Sequence, residues 1–363
     1  MKRNKTTYSS KKFLISMIIS TIVILIVIGS LTYTVDPFLK YRYKPDKMYL
    51  LNPRFVNPGL LKNYDYNTVI LGSSMVQNFD MNLFRADPSV KPLKIAIGAA
   101  SRDEIEVAYS LIKKEKTKSI IVNLDLTSFN ALSKDVKYPS YTYKDDLLSQ
   151  LGYLYSYEAC IRYMPIDIGS LLFSDINQDM HKMMKEKSDV DRIGEFRGNN
   201  NYQGKIYFLR FLYKTGSGFS YQDTEDMDKR MKEHFDQFIA KFDIGNNKHI
   251  EYTFILPPYS IAYWGYTDQK GYYQNFVDIV RYINKQVSKY ENVRLICFYD
   301  IDTIMDLNSY ADLTHFNPET SDFIVNNLFT EKYRLTHENI DIRIQKLDSM
   351  VSVFNTEYAD WNE

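Results

Sequence analysis

The sequence predicts an α/β domain on a parallel central sheet, preceded by one N-terminal transmembrane helix. Three observations predict it. Short apolar runs rich in β-branched residues recur at 67–71, 90–97, 119–124, 251–256 and 293–299, each of strand length. Helical patterns at 101–114, 224–242 and 273–290 alternate with them, the rhythm of β-α-β units and hence of parallel pairing. Residues 13–33 are dominated by Ile, Leu and Val and carry no charge. At about 1.5 Å per residue they can cross a bilayer core of roughly 30 Å.

Residues 1–12 form a basic tail. Lys2, Arg3, Lys5, Lys11 and Lys12 all precede the first acid, Asp36. This places the N-terminus inside and everything after residue 34 outside. Lys40, Arg42, Lys44 and Lys47 stand against that asymmetry from the other side. A cleaved signal peptide would have a shorter apolar region, about 7–15 residues, and an Ala-x-Ala-like site. Neither feature is present, so 13–33 reads as an uncleaved signal anchor. Residues 34–64, with Pro37, Pro45, Pro53 and Pro58, read as an irregular connector.

The first strand stops at Gly72-Ser73-Ser74. A strand, a small-residue turn and a helix start together lift a side chain out of the sheet's carboxyl edge, where open α/β sheets bind ligands. A serine there faces substrate or, alternatively, only caps the helix. The second strand has Leu93, Ile95 and Ile97 alternating and ends at Gly98. Ser101 and Glu104 then form a capping-box pattern. The third strand runs into Asp125-Leu126-Thr127-Ser128-Phe129-Asn130.

Over 131–224 the rhythm breaks, which marks an insertion that builds one wall of the site. An amphipathic helix is expected at 145–164, and Gly/Asn-rich clusters at 198–204 and 216–218. Order resumes with the last two strands. Asn317-Pro318-Glu319 starts a final helix, with Pro in its first turn. The domain therefore spans 65–335, followed by a helical tail at 336–363.

Of the five histidines, only His315 follows a carboxylate by three residues, Asp312, in a turn leading into a helix. That carboxylate can accept from one ring nitrogen and leave the other free as a base. A lone Asp-x-x-His also arises in surface turns. Its pairing with Gly-Ser-Ser at the far end of the domain is what gives it weight.

Gly72-Ser73-Ser74 and Asp312-x-x-His315 resemble the first and last blocks of the SGNH (GDSL-type) hydrolases, over residues 65–333. The resemblance implies a three-layer α/β/α domain with Ser74 as nucleophile, Ser73 in place of the usual aspartate, His315 as base and Asp312 as its orienting acid. It assigns the oxyanion hole to the backbone of Ser74 and Gly98, without the usual Asn neighbour. A further donor is expected at the end of the third strand, where the family has an asparagine and this chain offers Asp125, with Asn130 further on. An ionised carboxylate repels an oxyanion, so Asp125 reads instead as a binder of an acceptor hydroxyl, a support for the loops, or a helix cap.

Gly72-Ser73-Ser74 in a chain with such an anchor resembles the membrane-bound branch that includes DltD, the D-alanyl transfer protein of teichoic-acid synthesis, and also the alginate O-acetylation proteins of similar build. That branch implies transfer of a small acyl group, acetyl or related, onto a polysaccharide or teichoic-acid-like acceptor. It also implies a multi-spanning membrane O-acyltransferase as partner, and no metal or organic cofactor. An esterase or deacetylase of the same fold, or a non-catalytic accessory protein that binds glycan or a partner, is the alternative.

The composition is globular, 45% hydrophobic and 25% charged, with zero net charge. Without the five leading cations, 40 basic residues face 45 acidic ones. That balance lacks the basic face of a nucleic-acid binder. Cys160 and Cys297 are too far apart for a metal-ligand spacing, and Cys297 in its apolar run reads as a buried thiol.

Overall fold

Five parallel strands form one sheet in the order β2-β1-β3-β4-β5. They are β1 (Thr68–Gly72), β2 (Pro92–Ala96), β3 (Ser119–Asn123), β4 (Glu251–Leu256) and β5 (Val293–Cys297). Each lies in a run the sequence marks as a strand. Every residue of β1 and β2 is buried, so helices and loops cover both faces, as a parallel sheet requires. The computed structural model describes residues 5–44, 52–130, 136–172, 191, 206–215, 226–358 and 361. The Gly/Asn clusters at 198–204 and 216–218 lie outside the described residues, as do Lys2 and Arg3.

The chain divides into two compact units, residues 1–64 with 138–188, and residues 65–137 with 189–363. The insertion expected at 131–224 is thus shared between them.

In the first unit the helix Lys5–Val35 contains one stretch, Ser10–Val35, long and apolar enough to cross a membrane. It ends at Asp36, whose φ of 47° turns the chain back. The buried Asp36 carboxylate accepts from the backbone N–H of Lys40, Tyr41 and Arg42 and from the Tyr153 hydroxyl at 2.6 Å. Three of the four cations that opposed the charge asymmetry have structural work here; Lys47 lies outside the described residues. Arg42 donates to the Tyr33 carbonyl, and Lys44 to those of Thr34 and Val35. They cap the helix's negative end. Lys40 is buried, with its ammonium on the Lys144 carbonyl.

Part of the connector is not irregular. Pro53–Asn63 is a helix, capped by Asn52 with Pro53 in its first turn. The prolines read as breakers, yet one of them occupies the position where a helix loses nothing by a missing N–H. The helix expected at 145–164 is two pieces. Leu147–Tyr155 stops at Ser156, whose extended backbone and hydroxyl, accepting from the Ala159 N–H at 3.1 Å, begin Glu158–Tyr163 and then Met164–Leu172.

In the second unit, Arg102–Ser110 follows β2 behind the expected capping box, and Met227–Lys241, Tyr273–Val287 and Pro318–Asn327 supply further helices. The tail helix Ile340–Glu357 belongs to this unit's core. Ile344, Leu347, Val351 and Phe354 are buried. Its Arg343 guanidinium bonds the Cys297 carbonyl at the end of β5 and pairs with Asp300. Cys297 is buried, and burial pushes its thiol up to about 11.

Candidate active site

In the order 2-1-3-4-5 the chain leaves β1 for β2 on one side and then crosses back to β3 on the other, so the order reverses at β1 and the crevice opens at the carboxyl ends of β1 and β3. Gly72 closes β1. A Cβ there would sit 2.9 Å from the Cβ of Asn123 and 2.8 Å from the Val76 side chain, so only glycine fits the turn. Ser73 is buried and its hydroxyl accepts from the Met75 N–H, capping the single turn Ser74–Val76. Capping and exposure, alternatives for one serine, are divided between two.

Ser74 Oγ lies 2.6 Å from His315 Nε2, across 241 residues of chain. On the far side of the ring, Asp312 Oδ2 is 2.6 Å from Nδ1. The other carboxylate oxygen accepts from the backbone N–H groups of Thr314 and His315, both at 2.8 Å. Asp312 therefore fixes its own loop as well as the imidazole. The loop is tied to the sheet by Ser260, which gives both its N–H and its hydroxyl to the Leu313 carbonyl, and by the Tyr310 hydroxyl on the Pro258 carbonyl. Asn317, capping the next helix, fixes the exit.

The electrostatics follow from this geometry. Burial favours the neutral Asp312 acid. The His315 hydrogen bond and charge, with two backbone N–H groups, overcome it and draw the carboxyl down to about 2. Burial likewise disfavours the imidazolium of His315, but the bond to Asp312 and the charges of Asp312 and Asp125 win, raising its pKa above 6.5. The ring is a better base than a free imidazole and is held close to a hydroxyl. His234 and His249 instead bond backbone carbonyls, and His337 is exposed. His181 lies outside the described residues.

Gly98 stands at the carboxyl end of β2, directly after Ile97, whose N–H donates to the Gly72 carbonyl at 3.0 Å. That bond sets the Gly98 turn beside the Ser73-Ser74 turn. Asp125 has a different place. Its Oδ1 accepts from the Thr127 N–H, the Thr127 hydroxyl and the Tyr259 hydroxyl. Burial and the Asp125 charge push the Tyr259 hydroxyl well above 10, so Tyr259 stays a donor. Asp125 thus supports the loop and offers an oxyanion no proton. Asn130 accepts from Arg230, through both Nε and Nη2, away from this role.

Two residues escaped the sequence reading. Asn123, the last residue of β3, is buried, and among the described residues neither amide atom has a hydrogen-bond partner. It lines a small pocket of mixed character, with Ser73, Ser101, Arg102, Asp125 and Ser128 among its polar residues and Ile105, Phe129 and Phe238 among its apolar ones. An asparagine thus stands at the end of β3, two residues before Asp125. Lys94, which alternation would turn outward from β2, is buried, and its ammonium donates to the carbonyls of Gln77 and Phe79. It holds the segment that follows Ser74. Its signal was a lone cation inside an apolar strand. Among the described residues, no cluster of His, Cys, Asp and Glu could hold a metal ion.

The chain matches no protein-family model, and no curated protein matches it.

Proposed function

We propose that this chain is a membrane-anchored serine O-acyltransferase of the SGNH type, moving a small acyl group, acetyl or a close relative, onto a cell-envelope or secreted polysaccharide. The observation that carries the reading is the continuous line Ser74–His315–Asp312, with 2.6 Å at both links. Ser74 Oγ attacks the carbonyl of an ester or thioester donor while His315 Nε2 takes its proton, and Asp312 stabilises the imidazolium. The oxyanion is met by the backbone N–H groups of Ser74 and Gly98 and by the Asn123 amide. Collapse expels the donor's alcohol or thiol, which takes the proton from His315. An acceptor hydroxyl then gives its proton to His315 and attacks the acyl-serine, restoring Ser74. The same branch resemblance supports a multi-spanning membrane O-acyltransferase as supplier of the acyl group, and a cell-membrane location with the N-terminus inside and the domain outside.

The esterase reading draws on one observation: the His315 side chain is 31% exposed, which lets water reach an acyl-serine. The deciding experiment incubates the full chain in detergent with a small acyl ester, with and without oligosaccharides, and follows products by mass spectrometry. Slow hydrolysis with acceptor-dependent O-acyl sugar, absent in Ser74→Ala, is the expected result. Fast hydrolysis indifferent to glycan, together with loss of acyl groups from an acylated polymer, would establish the esterase.

A further inference from the structure

We propose that residues 147–172 form a re-entrant helical hairpin seated among the phospholipid acyl chains, beside the last turns of the N-terminal helix. The proposal rests on the reading that Ser10–Val35 crosses a bilayer.

The contacts of the hairpin trace a descent and a return along that helix. Lys144, just before it, receives the ammonium of Lys40, and Gln150 accepts from the Tyr41 hydroxyl. Tyr153 donates to Asp36, at the helix end. Tyr155 reaches lowest: its hydroxyl bonds the Leu25 carbonyl, and a Cβ on Gly29 would come within 2.7 Å of that oxygen. The chain then turns at Ser156 and climbs, for Cys160 Sγ lies 3.3 Å from the Thr32 hydroxyl and Met164 also meets Thr32. Gly29 is six residues before Val35, so the Tyr155 hydroxyl sits roughly 9 Å below the helix end at ~1.5 Å per residue. That depth matches the roughly 5–10 Å reached by interfacial helices.

The chemistry of the outer side fits the same medium. The inner side is apolar and packed, with Ala159, Cys160, Tyr163 and Met164 buried. The outer side is apolar too: Leu148 is 79% exposed, Tyr157 65% and Ile161 62%. A segment apolar all round belongs inside a protein or a membrane, and water is a poor neighbour for so large a patch. Its three charges are disposed accordingly, with Asp167 buried and its charge acting on Lys44. Glu158 accepts from the Tyr141 hydroxyl, and the Arg162 guanidinium lies over the Tyr163 ring, on a stem long enough to reach the headgroups. Tyr155 and Tyr157 stand at the level where aromatic belts form. The helix supplies continuity: its own side chains in this stretch, such as Ile24 and Ile26, are 56% and 59% exposed, so one medium covers both.

The test places nitroxide labels on Leu148→Cys, Tyr157→Cys and Ile161→Cys in the full chain, in vesicles of phosphatidylglycerol and phosphatidylethanolamine. Both native cysteines are buried. Ile24→Cys serves as the lipid reference and Lys229→Cys, at a position 75% exposed, as the water reference. Power saturation is read with oxygen and with a nickel chelate. The expected oxygen-to-nickel collision ratio at Tyr157 and Ile161 is several-fold above that at Lys229 and approaches that at Ile24. Water-like values at the three hairpin labels with a lipid-like Ile24 would overturn the proposal and leave the spanning helix standing. A water-like Ile24 would remove both. Labels shielded from both reagents would show a protein surface, such as a second copy of the chain, in place of lipid, and would also overturn it.

Discussion

Asp312 bonds His315 twice, once at ring Nδ1 through Oδ2 (2.6 Å) and once at the backbone N–H through Oδ1 (2.8 Å). The two bonds separate the acid's electrical effect from its structural one. Asp312→Asn keeps a carbonyl oxygen for the loop but loses the charge that holds the imidazolium. Reaction with an acyl ester requires neutral His315, so the rate of wild-type protein should rise with pH through a midpoint above 6.5. In Asp312→Asn burial is left to dominate and the midpoint should move down. The rate at the plateau should fall by on the order of 10²–10⁴, since an amide cannot stabilise the imidazolium. A pH–rate profile checks both, and an unmoved midpoint would mean that Asp312 serves the loop alone.

Ser74, rather than Ser73, should take a serine-reactive phosphonate. Ser74→Ala should abolish labelling. Ser73→Ala should retain it with a stability loss below about 1 kcal/mol, because the bond it removes is a long cap on a single turn. The double variant Ser74→Ala/His315→Ala should be little worse than either single variant, as expected for groups that act as one unit. Peptide mapping of the adduct and rates of the three variants test this, and additive losses would give His315 a role apart from Ser74.

The membrane topology should show a protected tag ahead of Lys12 and a domain digested by protease on intact cells. The mature chain should retain its N-terminal helix. Cleavage near residue 34 would remove the Thr32 hydroxyl from Cys160 and the Thr34 carbonyl from Lys44. N-terminal sequencing of the membrane fraction decides it.

Gly72→Ala should keep the fold and damage the site. The new methyl meets the Val76 side chain and the Asn123 Cβ below 3 Å, so β1 and β3 must part or the Ser73-Ser74 turn must shift. Overpacking of this kind costs about 1–3 kcal/mol. A lowered Tm with a larger proportional loss of phosphonate labelling is expected. Full labelling at a lowered Tm would show that the turn absorbs the methyl without moving Ser74.

The sequence made some of these features visible and hid others for physical reasons. All five strands were legible because a buried parallel strand needs a continuous apolar run, whatever it packs on. The Ser74–His315–Asp312 line was legible because its chemistry demands particular residue types at chain positions the α/β rhythm brings to one edge. The break at Ser156 was not, since a serine interrupts a helix only when its hydroxyl is used as a cap. Lys94 and Asn123 were hidden because their surroundings are tertiary. One needs to see the carbonyls of Gln77 and Phe79, and the other the absence of any partner among the described residues. Asp125 drew attention away from Asn123 by standing where the apolar run visibly stops. The residue that ends the strand's pairing lies two places earlier, opposite Ile255.

Asn123 gives the sharpest separation of stability from activity. A buried amide without a protein partner is a cost to the fold, because its desolvation is uncompensated. Asn123→Ala removes that amide together with its cost, so thermal stability should be unchanged or slightly higher. If the amide instead waits for the oxyanion, its loss should reduce acyl transfer by on the order of 10²–10³-fold, through kcat rather than KM. Asn123→Asp should be worse still, since a carboxylate there repels the developing charge. Initial-rate kinetics beside a thermal melt provide both readings on one preparation. A variant that melts earlier and keeps its rate would place Asn123 among the structural residues and return the oxyanion to the backbone of Ser74 and Gly98 alone.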